Sequence, residues 1–245
     1  MTALRSALFN LLFFAWTILL AVTTWPALLL PRRAVVAVYH LWRRGIDALL
    51  RRVVGIEQRW IGLDRRPAGP VIYAAKHQSA WDTIAMPGRL GDAAVVIKRE
   101  LLWIPVYGWF AARYGVIPVD RSAGSAALRR MLARARAAAA AGRSILIFPQ
   151  GTRVAPGAAA PYHPGVAALY AHLGLPVVPV AVDSGLRWGR RAFLKRPGTI
   201  TVELLPEIPP GLDRRRFLRR LEDETETATD RLAAAAATSA RPAPS

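Results

Sequence analysis

The stretch VIYAAKHQSAWDT, residues 71 to 83, joins a short apolar run to a polar segment that is suited to start a helix. The run 71–75 has the length and composition of a buried strand, and we expect a helix over 79–89 with Ser79 as its N-cap. Further strands are predicted at 92–98, 115–119, 144–149, 176–182 and 199–205, and further helices at 101–113, 123–141 and 164–173. This alternation predicts an α/β domain with a largely parallel sheet.

Composition narrows the function classes without choosing one. The 245 residues include 34 Lys and Arg against 16 Asp and Glu, which gives a formal net charge of +18. Such a charge indicates a polyanionic partner: nucleic acid, an anionic membrane surface or phosphorylated ligands. Cysteine is absent, so disulfides, thiolate metal sites and a cysteine nucleophile are excluded.

Several common signatures are missing from the sequence. It contains neither GxxxxGK[ST] nor GxGxxG after a strand, which removes the usual support for ATP or dinucleotide chemistry. It also lacks the GxSxG nucleophile elbow. The four histidines do not show the spacing of metal ligands, so we expect no metal.

The N-terminal region has the features of a membrane anchor. Residues 7–30 carry no charge and, as a helix, would extend over roughly 36 Å. A signal peptide is the competing interpretation, but the segment exceeds an ordinary h-region and no small-x-small cleavage site precedes PRR. Pairs of arginines follow at 32–33, 43–44 and 51–52, so the positive-inside rule places the rest of the chain in the cytoplasm.

Residues 34–56 mix aliphatic side chains with arginine pairs at close to helical spacing. This pattern predicts a basic amphipathic helix on anionic headgroups, and the alternative is the solvated face of an ordinary soluble helix. We therefore divide the chain into N-terminal membrane-anchoring helices (1–56), an α/β domain (57–212), and a C-terminal helix with a disordered tail (213–245).

His77 and Asp82 are the first candidate site residues. His77 comes just after a strand, where sites on open α/β sheets form. On one helix the two residues would lie roughly 140° apart, but with His77 in the loop and Asp82 in the first helical turn the carboxylate can reach the ring. Asp82 would then fix the tautomer and stabilise the imidazolium, which leaves His77 as a general base. Since no serine nucleophile with its usual turn is present, the simplest proton donor is a substrate hydroxyl.

Basic residues end two other predicted strands. GVIPVDR finishes on Asp120 and Arg121, and ILIFPQGTR carries Gly151, Thr152 and Arg153. Each arginine can hold a phosphate through a bidentate fork, and backbone amides near the glycine would add donors.

Four blocks in this order resemble the glycerolipid acyltransferases, specifically the 1-acylglycerol-3-phosphate acyltransferases. The blocks are KHQSAWD (76–82), GVIPVDR (115–121), FPQGTR (148–153) and VVPVAV (177–182), and the resemblance covers roughly residues 70–185. Three block residues are expected to support the site. Lys76 stands where the family's first block has Asn, Gln150 stands where its third block usually has Glu, and Pro179 lies in the fourth block.

The resemblance implies a fold and a reaction. The fold is a glycerol-3-phosphate acyltransferase-type mixed sheet flanked by helices, with a membrane-associated N-terminal helical motif and an apolar groove for the acyl chain. His77 would deprotonate the sn-2 hydroxyl of lysophosphatidic acid, oriented by Asp82. The hydroxyl oxygen would attack the thioester of acyl-CoA or acyl carrier protein directly, without an acyl-enzyme and without a cofactor.

The resemblance also implies site residues and partners. Arg121 and Arg153 would bind the acceptor phosphate, with Gly151 and Thr152 shaping the loop. Lys76 adds a cation next to His77 that would favour the neutral, basic imidazole. The expected partners are a lysophospholipid, the acyl donor and the anionic surface of the inner membrane at its cytoplasmic face, with no nucleic acid. Two alternatives stay open: acylation of another lysolipid such as lyso-ornithine lipid, and a basic membrane- or nucleic-acid-binding protein without catalysis.

Overall fold

Seven strands form one mixed sheet within residues 1–120 and 124–239, the part of the chain that the computed structural model describes. The strands are β1 Ile56–Ile61, β2 Ile72–Ala75, β3 Ala94–Lys98, β4 Ile117–Val119, β5 Ile145–Ile147, β6 Val177–Val182 and β7 Gly198–Leu204. Their order across the sheet is β1-β7-β6-β2-β5-β3-β4. Neighbouring strands are parallel except β6 and β7, which are antiparallel.

Helices cover both faces of the sheet, as the apolar character of its central strands requires. They are α1 Thr2–Thr24, α2 Arg32–Leu49, α3 Ala80–Arg89, α4 Tyr107–Tyr114, α5 Gly124–Ala140, α6 Gly165–Leu173 and α7 Arg214–Ser239. On one face, Phe9 of α1, Ile46 of α2 and Trp81 of α3 are fully buried in one core cluster. On the other, Met131 of α5 and Phe217 of α7 belong to a second cluster. The predicted α/β sheet flanked by helices is confirmed.

Most predicted elements appear within two residues of their expected bounds, with two differences. Strand β1 was not predicted, because its sequence IEQRWI, at the edge of the sheet, is neither an apolar run nor a regular alternation: three successive polar residues follow Ile56. The predicted helix 101–113 is instead a 3₁₀ turn, Arg99–Trp103, followed by the shorter α4. Ile104 is extended with ψ 118°, as a residue before proline prefers, and Pro105 thereby separates the turn from the helix.

The two N-terminal helices form a hairpin. Trp16 Nε1 donates to the carbonyl of Trp42 at 3.1 Å, and Trp42 Nε1 donates to Thr17 Oγ1 at 3.0 Å. A Cβ on Gly45 would lie 2.2 Å from Trp16 Nε1, so only glycine lets this ring approach α2. The helical segment Thr2–Leu29 is long and apolar enough to cross a membrane, and only 11% of its most apolar 18-residue window is buried.

The C-terminal helix packs against the sheet rather than lying apart from it. Phe217 and Leu221 are fully buried, and the Phe217 ring stacks on Tyr170 of α6 with centroids 4.0 Å apart. The division of the chain at 56/57 and 212/213 stays a prediction, and the predicted tail from residue 240 onward lies outside the described residues.

Candidate active site

His77 and Asp82 form a hydrogen-bonded pair at the carboxyl end of β2. Strand β2 ends at Ala75, His77 lies in the following loop, and Asp82 is the third residue of α3. Asp82 Oδ2 lies 2.8 Å from His77 Nδ1. Because Asp82 occupies Nδ1, Nε2 is the ring nitrogen left to accept a proton. The predicted placement, with histidine in the loop and aspartate in the first helical turn, agrees with the structure.

The Asp82 carboxylate is held by several donors. The backbone amides of Gln78 and Ser79 each donate to Oδ2 at 2.8 Å, and Ser184 Oγ donates to Oδ1 at 2.6 Å. Asp82 is fully buried, and Ser79 caps α3 as expected. Hydrogen bonds to both oxygens fix the direction of the carboxylate toward His77.

Phe148 sets the orientation of the histidine ring from the other side. The two rings stack with centroids 4.2 Å apart and an interplanar angle of 26°. His77 is 9% exposed, so it is nearly enclosed and still reachable from the cavity beside it.

That cavity has a volume of about 650 Å³ and extends from His77 into the apolar interior. Its apolar lining includes Val96, Ile97, Leu101, Val119, Ala127, Leu128, Met131, Ile147 and Val166. Basic side chains also line it, namely Lys98, Arg153, Arg190 and Arg191, together with His163. An apolar depth next to basic groups suits a molecule with a hydrocarbon chain and an anionic head.

The loop 149–154 brings the third sequence block to His77. Gly151 adopts a left-handed conformation with φ 65°, and its amide donates to the Phe148 carbonyl at 2.9 Å. The amide of Val154 donates to the His77 carbonyl at 2.8 Å, which ties the two loops together. Gly151, Thr152 and Arg153 all line the cavity, so the structure brings this part of the predicted phosphate site to the histidine.

The other predicted residues differ in placement. Arg121 lies outside the described residues. Pro179 is buried within β6 opposite Ala74 and does not line the cavity, so its contribution is to the sheet.

Asp183, which follows β6, is 2% exposed and accepts a hydrogen bond from the Thr201 amide at 2.7 Å. Burial raises the pKa of its carboxyl to about 6, partly opposed by that hydrogen bond.

Lys76 is placed differently from the expectation. Its ammonium is 2% exposed and pairs with Glu226 Oε2 of α7 at 2.5 Å, so its charge is balanced there rather than acting freely on His77. The same carboxylate accepts from Tyr162 Oη at 3.0 Å and from Gln150 Nε2 at 3.4 Å. Burial and the Glu226 charge raise the pKa of Tyr162, which keeps this hydroxyl protonated as a donor. Lys76 and Gln150 therefore meet at one carboxylate.

Sequence reasoning missed several of these residues. Ser184 is the second residue after β6, and the rule that singled out His77, a polar residue just beyond the end of a strand, would have found it. Arg190 and Arg191 were hidden among many arginines. Glu226 has no local signal, since only the packing of α7 brings it to the loop. Among the described residues, no cluster of three His, Asp or Glu side chains is arranged to hold a metal ion.

Comparisons with known proteins agree with this architecture. The family model described as Acyltransferase matches residues 58–183. A 1-acyl-sn-glycerol-3-phosphate acyltransferase of Pseudomonas aeruginosa is 34% identical over 229 residues, 91% of this chain and 88% of the relative. A lyso-ornithine lipid O-acyltransferase of the same species is 28% identical over 180 residues, 66% of this chain and 69% of the relative. The crystal structure of the Thermotoga maritima 1-acyl-sn-glycerophosphate acyltransferase aligns with a TM-score of 0.78 over the whole of both chains at 18% identity, which is a likeness of fold.

Proposed function

The chain belongs to the 1-acyl-sn-glycerol-3-phosphate acyltransferase family, and we propose that it transfers a fatty acyl group from a thioester to the sn-2 hydroxyl of lysophosphatidic acid. The product is phosphatidic acid. The observation that carries this proposal is the pairing of His77 with Asp82 at 2.8 Å, at the edge of a cavity that combines an apolar depth with basic groups.

The proposed reaction is one direct displacement. The acceptor hydroxyl gives its proton to His77 Nε2 while its oxygen attacks the carbonyl carbon of the thioester. The tetrahedral intermediate then expels the thiolate, which takes the proton back from the imidazolium. Asp82 stabilises the imidazolium between these two steps. No cofactor takes part, and no residue of the enzyme is acylated.

The acceptor phosphate is assigned to the loop that carries Gly151, Thr152 and Arg153. Arg153 forms no hydrogen bond or ion pair with the described side chains, so its guanidinium is available for a bidentate phosphate contact. We propose that Arg121 also binds the acceptor phosphate. The acyl chain would occupy the apolar part of the cavity, among residues such as Val96, Leu128 and Met131.

A membrane surface is the proposed setting for the reaction. Besides α1, the segment 101–109 exposes Trp103 (70%) and Trp109 (59%) on the α/β part of the molecule. Leu101 of that segment lines the cavity, so the exposed apolar surface is continuous with the site. Together with the charge of +18, this supports attachment to anionic lipid at the cytoplasmic face of the inner membrane.

Lyso-ornithine lipid is the second candidate acceptor, supported by the 28% identical relative and by Gln150 in place of the usual Glu. That lipid carries the carboxylate and the ammonium of ornithine instead of a phosphate, so it would bring less negative charge to Arg153. The basic groups around the cavity therefore favour lysophosphatidic acid.

The test measures free thiol released from acyl-CoA, or from acyl carrier protein, with each lysolipid supplied separately. Wild type should turn over lysophosphatidic acid, and His77→Ala should lose about 10²- to 10⁴-fold in rate while remaining folded and membrane-bound. Turnover on lyso-ornithine lipid alone would move the assignment to the second candidate. No thiol release from either donor would refute acyl transfer to both lipids.

A further inference from the structure

The segment 184–197, which follows β6 and is called here the β6–β7 loop, carries two arginines to the cavity. Arg190 and Arg191 both line it together with His77. Both side chains are exposed, and neither makes a hydrogen bond or ion pair with the described part of the chain. Arg191 also holds a left-handed backbone conformation, with φ 55°, that non-glycine residues rarely adopt. Two unpaired guanidiniums that line the same cavity can bind an anion.

The β6–β7 loop is anchored, so these arginines are presented from a fixed backbone. Lys195, 3% exposed, donates from Nζ to Asn10 Oδ1 at 2.6 Å, and its amide donates to Ser6 Oγ at 2.9 Å. The Trp188 ring meets Phe9 edge-on at 5.5 Å. The loop therefore begins beside the His77–Asp82 pair and is tied to the N-terminal helix α1 near its other end.

In the proposed reaction, both substrates carry a phosphate, and both must reach His77. The acceptor phosphate is assigned to the loop of Gly151 and Arg153, so the phosphate of the donor needs other basic groups along the cavity. Acyl-CoA and acyl carrier protein share this group, because both carry the acyl thioester on a phosphopantetheine arm.

We propose that Arg190 and Arg191 bind the phosphate of the donor's phosphopantetheine arm at the rim of the cavity. This assignment rests on the proposed function. It places the donor on the side of the β6–β7 loop and the acceptor on the side of the Gly151 loop, with His77 between them.

The test compares donors with and without phosphate in the presence of lysophosphatidic acid. The variant is Arg190→Ala with Arg191→Ala, and the control of equal charge loss is Arg215→Ala with Arg219→Ala on the exposed side of α7. We expect the variant to raise the KM for acyl-CoA or acyl carrier protein about tenfold or more. The KM for acyl-pantetheine, which has no phosphate, and for lysophosphatidic acid should stay unchanged, and the control should match wild type.

The assignment would be overturned if the variant changed the KM for acyl-CoA, acyl carrier protein and acyl-pantetheine equally. It would also be overturned if the variant changed none of these KM values. Competitive inhibition by phosphopantetheine against pantetheine gives the same comparison without turnover of the truncated donor. If wild type acylates neither lysolipid, the proposed function fails. The arginine assignment is then decided separately by titrating CoA against wild type and variant.

A second, independent observation concerns Glu226. Its carboxylate lies between Lys76 Nζ, Tyr162 Oη and Gln150 Nε2, as described above, and Gln150 Oε1 is buried with no partner in the described chain. The chain thus has Gln where the third block usually has Glu and Lys where the first has Asn, and one carboxylate from α7 contacts both.

We infer that Glu226 is a positioning residue that takes the place of the third-block carboxylate from α7. It balances the buried Lys76 ammonium and holds Gln150, and through it the phosphate-binding loop that begins at Gly151. A buried cation left without its partner is strongly unfavourable, so the loop and the first block depend on this helix.

The test removes the carboxylate at position 226, adds one at position 150, and then combines the two substitutions. Glu226→Gln should raise the KM for lysophosphatidic acid about tenfold, because the loop loses its anchor. Gln150→Glu should also lower activity, because it places a second carboxylate about 3.4 Å from the first. The double variant restores one carboxylate to the contact between positions 150 and 226, and we expect activity within about threefold of wild type.

Glu224→Gln is the matched control, since Glu224 pairs with Arg220 at 2.7 Å on the surface of the same helix. A double variant no better than the worse single variant would overturn the inference. So would a Glu226→Gln protein that loses thermal stability but keeps the wild-type KM.

Discussion

Ser184 donates its hydroxyl hydrogen to Asp82 Oδ1 at 2.6 Å, although the two residues are 102 positions apart in the chain. This contact joins the end of β6 to the first turn of α3. It occupies the carboxylate oxygen that does not face His77. The amide of Val154, just after the third sequence block, donates to the His77 carbonyl, so two distant loops meet the His77–Asp82 pair.

Ser184→Ala should lower kcat about tenfold with little change in the KM for either substrate, because Asp82 loses a buried donor and orients His77 less well. Steady-state kinetics in detergent measure this. Ser125→Ala, an exposed serine at the start of α5, serves as the control and should behave as wild type. If kcat stayed at the wild-type value, Ser184 would have no part in orienting the aspartate.

Arg153→Ala should raise the KM for lysophosphatidic acid about tenfold or more and leave kcat largely intact, since it removes the proposed charge-assisted contact to the acceptor phosphate. The exposed Arg130→Ala on α5 removes the same charge away from the cavity and should have no effect. An unchanged acceptor KM in Arg153→Ala would exclude this arginine from the phosphate site.

Asp183→Asn should change how stability depends on pH. The pKa of Asp183 is about 6 in the folded protein and about 3.9 in an unfolded chain, so between these values the folded state binds more protons. The free energy of unfolding of wild type therefore falls as pH rises from about 4 to about 6, whereas asparagine does not titrate.

Thermal unfolding in detergent, followed from pH 4 to pH 7, measures the difference in Tm between the two proteins. The difference in Tm should grow in favour of Asp183→Asn from about pH 4 to about pH 6 and stay constant above pH 6. The asparagine oxygen can still accept from the Thr201 amide, so the fold should be retained. A difference that is constant with pH would mean that Asp183 does not titrate in this range.

Replacing Trp103 and Trp109 together by serine should weaken binding to vesicles that contain anionic lipid, because each exposed indole loses burial at the membrane interface. Vesicle flotation measures the bound fraction, and activity in detergent micelles provides the control and should be unchanged. Equal binding of the variant and wild type would place the membrane contact on α1 and α2 alone.

Local patterns accounted for much of the fold and for part of the site. The six predicted strands are short apolar runs bounded by turn residues, and a run of that kind carries its own signal. Strand β1 carries none, because three successive polar residues interrupt its apolar residues at the sheet edge. His77, Asp82 and the loop of Gly151 and Arg153 were predictable because each follows a strand or opens a helix.

The sequence by itself determined the α/β class, the apolar N-terminal helix and the pairing of His77, the proposed general base, with Asp82. These depend on residues close together in the chain, whose spacing local geometry translates into position. Tertiary structure alone decided that Ser184 reaches Asp82, that Arg190 and Arg191 meet the cavity, and that Glu226 balances Lys76. Those contacts depend on the strand order and on the packing of α7, and no local pattern encodes a contact between residues about 100 or more positions apart.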